Sequence, residues 1–297
     1  MAETTPGAGR PGVIHDLGYR RFDGTREGAG TIGRTLFVTG LRHAYGLGRS
    51  GRSKVLPFLL LAMSTLPAII VIGVLVLTPI TSLPVSYASY TNDTQLLVSL
   101  FAAAQAPVLF SRDLRYRSIV LYLARPLSAP AFAMVRFLSL TAAIWLFVAL
   151  PALLLYVGAL LAGLDVSEQT GDVIKALVLQ VLLAALLAGI SGLISSVSLR
   201  RGFAVVGSVM ALIVASGVVT AIQAISAEQD SEQVGMLAGL FSPWSLYSGL
   251  GEAWDAGVDV MAPASGAWAL AYALVGLLVV ASCVLGLVAR FQRAGAR

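Results

Sequence analysis

Few side chains in this sequence are reactive, and their spacing limits the chemistry open to it. There are two histidines, His15 and His43, and one cysteine, Cys283. A structural or catalytic zinc site needs Cys or His ligands at short repeated spacings, and the sequence has no such cluster. Cys283 lies in an apolar stretch, has no partner for an internal disulfide, and reads as a small buried hydrophobe. No Ser–His–acid set can assemble within the long apolar stretches, because none of them holds His, Asp or Glu. The G-x-S-x-G pattern is missing too. Gly46, Gly48 and Gly51 satisfy G-x-G-x-x-G, but no strand precedes them and a long apolar run follows. Lys54 follows Ser53 and not Gly, so the phosphate-cradling loop of ATPases fails as well. GLGRSGRSK (46–54) therefore reads as a flexible basic turn, and the sequence carries no recognisable ATP site and no catalytic or cofactor-binding residue. The polar groups left in the apolar stretches are Gln105, Gln180, Gln223, Tyr156 and many Ser and Thr. They can line a path for a large, mainly apolar or amphiphilic cargo. Alternatively, each Gln makes one helix–helix hydrogen bond, worth about 1 kcal/mol.

The elements that must position these groups follow from charge. Hydrophobic residues make up 57% of the 297 and charged ones 12%, against about a quarter in an ordinary soluble protein. Mean hydropathy is +0.85. These values exclude a disordered chain and argue against a soluble domain. Six stretches hold no Asp, Glu, Lys or Arg: 55–92, 94–111, 137–164, 176–199, 202–227 and 260–289. A membrane-crossing helix needs about 20 apolar residues, so each holds one crossing. The predicted spans are 55–78, 94–111, 137–162, 176–198, 202–225 and 267–289. A seventh uncharged stretch, 233–251, is broken by Pro243 and several Gly. With six spans, 19 of the 20 Lys and Arg fall on one side, Lys175 being the exception, and ten of the 15 acids fall on the other. The positive-inside rule makes the basic side the cytoplasm, with both termini there. No intramembrane acid or base is expected, which argues against an ion-coupled carrier. The pI near 9.6 is then a topology signal facing an anionic leaflet, and nucleic acid is not expected as a partner.

Along the chain, residues 1–54 form a cytoplasmic segment, 55–290 a transmembrane domain, and 291–297 a tail. No cleavable signal peptide is expected, because the first 50 residues lack a long apolar run. VIHDLGYRRFDG (13–24) is either a docking segment or a disordered tail. Ile32, Leu36, Phe37, Leu41 and Tyr45 recur at helical spacing, so 31–46 reads as an interfacial amphipathic helix on the inner leaflet or as a docking helix. Pro67 is expected to kink the first span, and SYASYTND (86–93) to lie outside. After the second span, Arg112, Asp113, Arg115 and Arg117 alternate with Leu114 and Tyr116. Ile119, Val120, Tyr122 and Leu123 follow, and Pro126 and Pro130 close the segment. This is a short amphipathic knob on which a cytoplasmic motor could push, or an ordinary basic loop. Small residues from Ala184 to Ser196 and at Gly207, Ala211 and Ala215 allow close packing, within the chain or between subunits. An acidic outer loop is expected at 164–172. Met236–Leu250 reads as one or two short helices at the outer interface, with Trp244, Tyr247 and Trp254 at headgroup level.

This order of parts resembles the membrane subunits of ABC exporters of the ABC-2 type, and the resemblance covers nearly the whole chain. In that family the loop after span two carries an acidic residue, a short helix and a Leu-rich stretch ending in Pro and Ser or Thr. Here Asp113 takes the acidic place and Leu121-Tyr122-Leu123-Ala124-Arg125-Pro126-Leu127-Ser128 follows it. Asp stands where Glu is usual, and Ser118-Ile119 where Gly-Thr is common. IHDLGYRRFDG and LRHAYGLGRSGRSK also look like permeases encoded beside ABC ATPases in actinobacteria. The resemblance implies an all-α, six-span exporter fold of the type V kind in the bacterial plasma membrane. It implies two partner ATPase subunits that bind ATP and magnesium, a second permease (identical or related), and export of a drug, antibiotic, lipid or glycan-like cargo. The knob would then seat in the ATPase, with Asp113, Leu114, Arg115, Tyr116, Arg117, Tyr122 and Arg125 as coupling residues and Gln105, Gln180, Gln223 and Tyr156 along the path. Asp113→Ala or Tyr116→Ala would uncouple hydrolysis from transport without unfolding the spans. A stand-alone secondary carrier and a non-transport partner that recruits an ATPase are the alternatives.

Overall fold

A computed structural model of the protein describes residues 27–78, 82–115, 127–198, 200–229, 231–260 and 266–295. The regular elements among them are all helical. In chain order they are α1 (Ala29–Ala44), α2 (Arg52–Leu77), α3 (Tyr87–Asp93), α4 (Gln95–Leu109), α5 (Ser111–Arg115), α6 (Ala129–Leu161) and α7 (Val166–Val197). Then come α8 (Arg201–Val209), a π-helical turn (Met210–Val214), α9 (Ala215–Glu228), α10 (Glu232–Gly239), α11 (Pro243–Ala253) and α12 (Ala267–Gly295). Six helical stretches are long and apolar enough to cross a membrane: Arg52–Leu77, Gln95–Arg115, Ala129–Leu161, Val166–Val197, Arg201–Glu228 and Ala267–Ala294. The protein thus has the make-up of a multi-pass membrane protein.

Local sequence sets where several helices begin. Ser128 caps α6 by accepting from the Ala131 amide at 3.4 Å, with Pro130 in the first turn, where a missing N–H costs nothing. Asp165 caps α7 through the Glu168 amide at 2.9 Å. Ser242 does the same for α11 at 3.3 Å, ahead of Pro243. The acidic 164–172 segment is consequently mostly helix. At 32 residues, α7 is about 48 Å long, well beyond the roughly 30 Å of a hydrocarbon core. Pro67 lies within α2, which runs unbroken past it.

The second, third and fourth spans form the centre of the bundle. Between 50% and 67% of their most apolar windows is buried, against 22% for the first, fifth and sixth. Apolar surface gains little by leaving lipid for protein, so close packing and interhelical hydrogen bonds must hold such helices together. Phe101 stacks on Phe147 with ring centroids 4.5 Å apart. The Trp145 indole donates to the Leu177 carbonyl at 3.1 Å, joining α6 to α7. Gly189 and Gly192 of α7 face Cys283 of α12 and Phe110 beside α4, so these small residues serve contacts within the chain.

Two segments differ from the sequence reading. Residues 87–93, expected outside, are helical: α3 runs almost directly into α4, and Tyr87, Ala88, Tyr90 and Thr91 are buried. The Tyr90 hydroxyl donates to the Ser64 carbonyl, midway along α2, at 2.5 Å. Helices α10 and α11, expected at the outer interface, form a hairpin that dips into the bundle. Its tip residue Ser242 lies 2.9 Å, oxygen to oxygen, from Ser216. Ser216 is twelve residues before the end of α9, about 18 Å along the helix axis. Trp244 and Tyr247 are therefore buried in protein. Trp244 donates to Ser99 at 3.0 Å and Tyr247 to the Ala88 carbonyl at 3.0 Å, while Trp254 stays exposed. The hydrogen bonds that their polar edges would make with water are made inside the protein.

Candidate functional site

Among the described residues, the arginines gather at one end of the bundle and the acids, Glu27 and Asp113 apart, at the other. At the basic end, α1 lies along the first turns of α6. Gly40 lets the two backbones approach, since a Cβ there would fall 2.7 Å from the Ser139 hydroxyl. Ser139 donates to the Phe37 carbonyl at 3.2 Å, and Tyr45 to that of Ala143 at 2.8 Å. The apolar face of α1 thus meets the third span. Leu36 is buried there, and Ile32, Leu41 and Tyr45 are partly so.

Asp113, on α5, is 8% exposed and pairs with Arg136 of α6 at 2.6 Å. Arg136 also lies 5.3 Å over the Phe132 ring. The sequence reading put both residues in the loop between spans, yet each belongs to a helix long and apolar enough to cross a membrane. The pair can be buried because it neutralises itself, while an isolated charge would be prohibitively costly. Of the other expected coupling residues, Leu114 is partly buried and Arg115 exposed. Tyr116, Arg117, Tyr122 and Arg125 lie outside the described residues. Ser111, at the start of α5, bonds to the Ser195 hydroxyl and carbonyl at 2.7 and 2.6 Å, fastening this corner to α7.

Beside this corner are two adjoining cavities of about 230 and 210 Å³. The first is lined by His43, Arg49, Arg52, Ser53 and Arg201 together with Gln105 and the apolar Leu56, Pro57 and Val108. The second shares Arg49, Val108 and Arg201 and adds Arg112 and Arg115. Among the described residues, neither lining contains a carboxylate. Burial, followed by the positive charges of Arg136, Arg49 and Arg112, lowers the pKa of His43. Burial and the charges of Arg112 and Arg201 lower that of Arg49. Sequence reasoning did not assemble this group, because it drew its residues from three separate basic turns. The enrichment of Arg in 49–54, 112–117 and 200–201 was its only signal.

The four path candidates do not converge. Gln105 lines the basic cavity and is 4% exposed. Gln180, fully buried, donates to Thr91 at 2.8 Å, and its carbonyl oxygen has no partner among the described residues. Tyr156 and Thr170 share a hydrogen bond of 2.8 Å. Gln223 donates to the Gly235 carbonyl at 3.3 Å and accepts from Ser245 at 3.1 Å, holding α9 to the hairpin. Gln223 also lines a polar cavity of about 140 Å³ at the acidic end, together with Asn92, Gln95, Ser245 and Asp259. Lys175, the one basic residue at that end among the described residues, donates to the Asp255 carbonyl at 2.8 Å and pairs with Asp172 at 3.3 Å. Among the described residues, no three of His, Cys, Asp or Glu gather as metal ligands.

Compared with known proteins, the chain matches no protein-family model and no curated sequence.

Proposed function

We propose that this protein is the membrane-spanning permease subunit of an ATP-driven exporter of the ABC-2 type. In this reading it works with two separate ATPase subunits and a second permease, and moves an apolar or amphiphilic cargo across a bacterial plasma membrane. The basic end is cytoplasmic, as the positive-inside rule requires. The observation that carries the reading is the buried Asp113–Arg136 pair, 2.6 Å long, which ties the base of the segment after span two to the third span. A push on the exposed Arg115 side of α5 would act directly on α6, one of the central helices. The order of parts supports it as well: α1 against the third span, α5 after the second, and a helical hairpin before the sixth. The weakly buried first, fifth and sixth spans leave apolar faces for a second permease and for lipid. The protein has no reaction to catalyse in this role: partner subunits bind ATP and magnesium, and its helices convert their closure into movement.

The test is purification in mild detergent after co-expression with the neighbouring genes. A stoichiometric ATP-hydrolysing subunit in the eluate is the expected result, and Arg115→Glu should deplete it. A protein that purifies alone while a candidate ATPase is well expressed would end this reading. Transport driven by an ion gradient without any ATPase would replace it with a secondary carrier.

A further inference from the structure

The cavities beside α5 hold more positive charge than a structural corner requires. Five arginines and His43 border them, with no acid in either lining among the described residues. Among the described residues, Arg49, Arg52, Arg112 and Arg201 form no ion pair. Arg49 is half-buried, while Arg52, Arg112, Arg115 and Arg201 are exposed, so water screens their mutual repulsion and leaves their guanidinium groups open to an anion. Gln105 adds a second, independent observation: it is 4% exposed, faces this cavity, and its amide makes no hydrogen bond to a described residue. A buried amide of this kind has a free donor and acceptor to offer a ligand. The first residues of α2 and α8, Arg52 and Arg201, also border the space, and neither helix has a side-chain N-cap. Two helix N-termini therefore add their partial positive charge at the same place.

We infer that this cavity binds the phosphate group of an anionic amphiphile at the basic end of the bundle. Arginine forks match the several oxygens of a phosphate in bidentate fashion, which suits a cluster of Arg better than one of Lys. The larger cavity, about 230 Å³, holds about seven water-sized groups at roughly 30 Å³ each, enough for a phosphate and its attached polar atoms. One wall is apolar. Leu56 is 42% exposed on the outside of α2, so a chain attached to the phosphate can leave sideways along that helix into lipid. A free phosphate or pyrophosphate presents the same chemistry without the chain. The inference rests on the cavity and not on the exporter reading, so either can fail without the other.

The experiment measures retention of lipid by the full-length protein in detergent, read by native mass spectrometry, with phosphatidylglycerol and phosphatidylcholine as probes. Phosphatidylglycerol should be retained preferentially. Arg49→Gln combined with Arg201→Gln should weaken it about tenfold or more, as loss of charge-assisted hydrogen bonds predicts. Arg112→Gln, at an exposed position and safe for folding, should weaken it by a smaller factor of about three. Arg34→Gln with Arg293→Gln, exposed and outside the cavity, should change little. Displacement by millimolar pyrophosphate, with the same dependence on Arg49 and Arg201, would assign the site to the free anion and still support it. Equal retention of the two lipids would overturn the inference. So would a loss in the Arg34/Arg293 pair as large as in the Arg49/Arg201 pair, since that would make the preference a diffuse effect of net charge.

Discussion

At the scale of single residues, the Asp113–Arg136 contact changes what a substitution at Asp113 should do. The sequence alone led to the expectation that Asp113→Ala would uncouple the protein without unfolding it. In the structure the side chains of the pair are 11% and 6% exposed, so removing the carboxylate leaves a buried guanidinium without its counter-charge. Breaking a buried pair in this way costs about 3 kcal/mol or more. Asp113→Ala should therefore lower the thermal unfolding midpoint in detergent, and Arg136→Met in the same chain should recover part of the loss. Additive losses in the double variant would show that the two residues are not coupled. This pair was not legible in the sequence. Its members stand 23 positions apart, and although Arg136 is a lone charge in the apolar run AFAMVRFLSL, nothing local shows which acid it meets.

At the scale of elements, the α10–α11 hairpin is the main departure. Residues 233–251 are too broken by Gly and Pro to read as a span, and they form two short helices instead. What the pattern lacked was any sign of depth. A segment with many Gly and Ser and two large aromatics suits an outer surface as well as a cleft between helices. The cleft is chosen by partners from elsewhere in the chain: Ser216 for Ser242, Ser99 for Trp244, and the Ala88 carbonyl for Tyr247. Gly239 belongs to the same fit, since a Cβ there would collide with the Tyr272 hydroxyl, which donates to the Met236 carbonyl at 2.8 Å. If the hairpin is seated this deeply, Ser216→Cys and Ser242→Cys together, in a Cys283→Ser background, should form a disulfide under mild oxidation. Either cysteine alone should not. Failure to cross-link would return α10 and α11 to the surface. The π turn at Met210–Val214 lies one turn before Ser216 in the same helix, and it sets the face on which Ser216 emerges.

At the scale of the whole molecule, the separation of charge makes a prediction about sidedness. Cysteines placed at Glu168 and Trp254, again without Cys283, should react with a membrane-impermeant thiol reagent added to intact cells. A cysteine at Arg34 should react only after the membrane is opened. The reverse pattern would invert the orientation drawn from the positive-inside rule. What the sequence by itself determined was the set of six spans, their order, the α1 helix and the concentration of Arg at one end. Those features follow from the cost of placing charge in hydrocarbon, which acts on each residue according to its own chemistry. The tertiary structure alone decided which buried polar groups meet. It paired Asp113 with Arg136 and folded the 232–253 segment inward. It also sent Gln105 to the basic cavity and Gln223 to the acidic end, and drew Arg49, Arg112 and Arg201 from separate turns around one space. Each of these depends on short-range contacts between residues far apart in the chain, and hydropathy carries no information about which distant residue will satisfy a hydrogen bond or a charge.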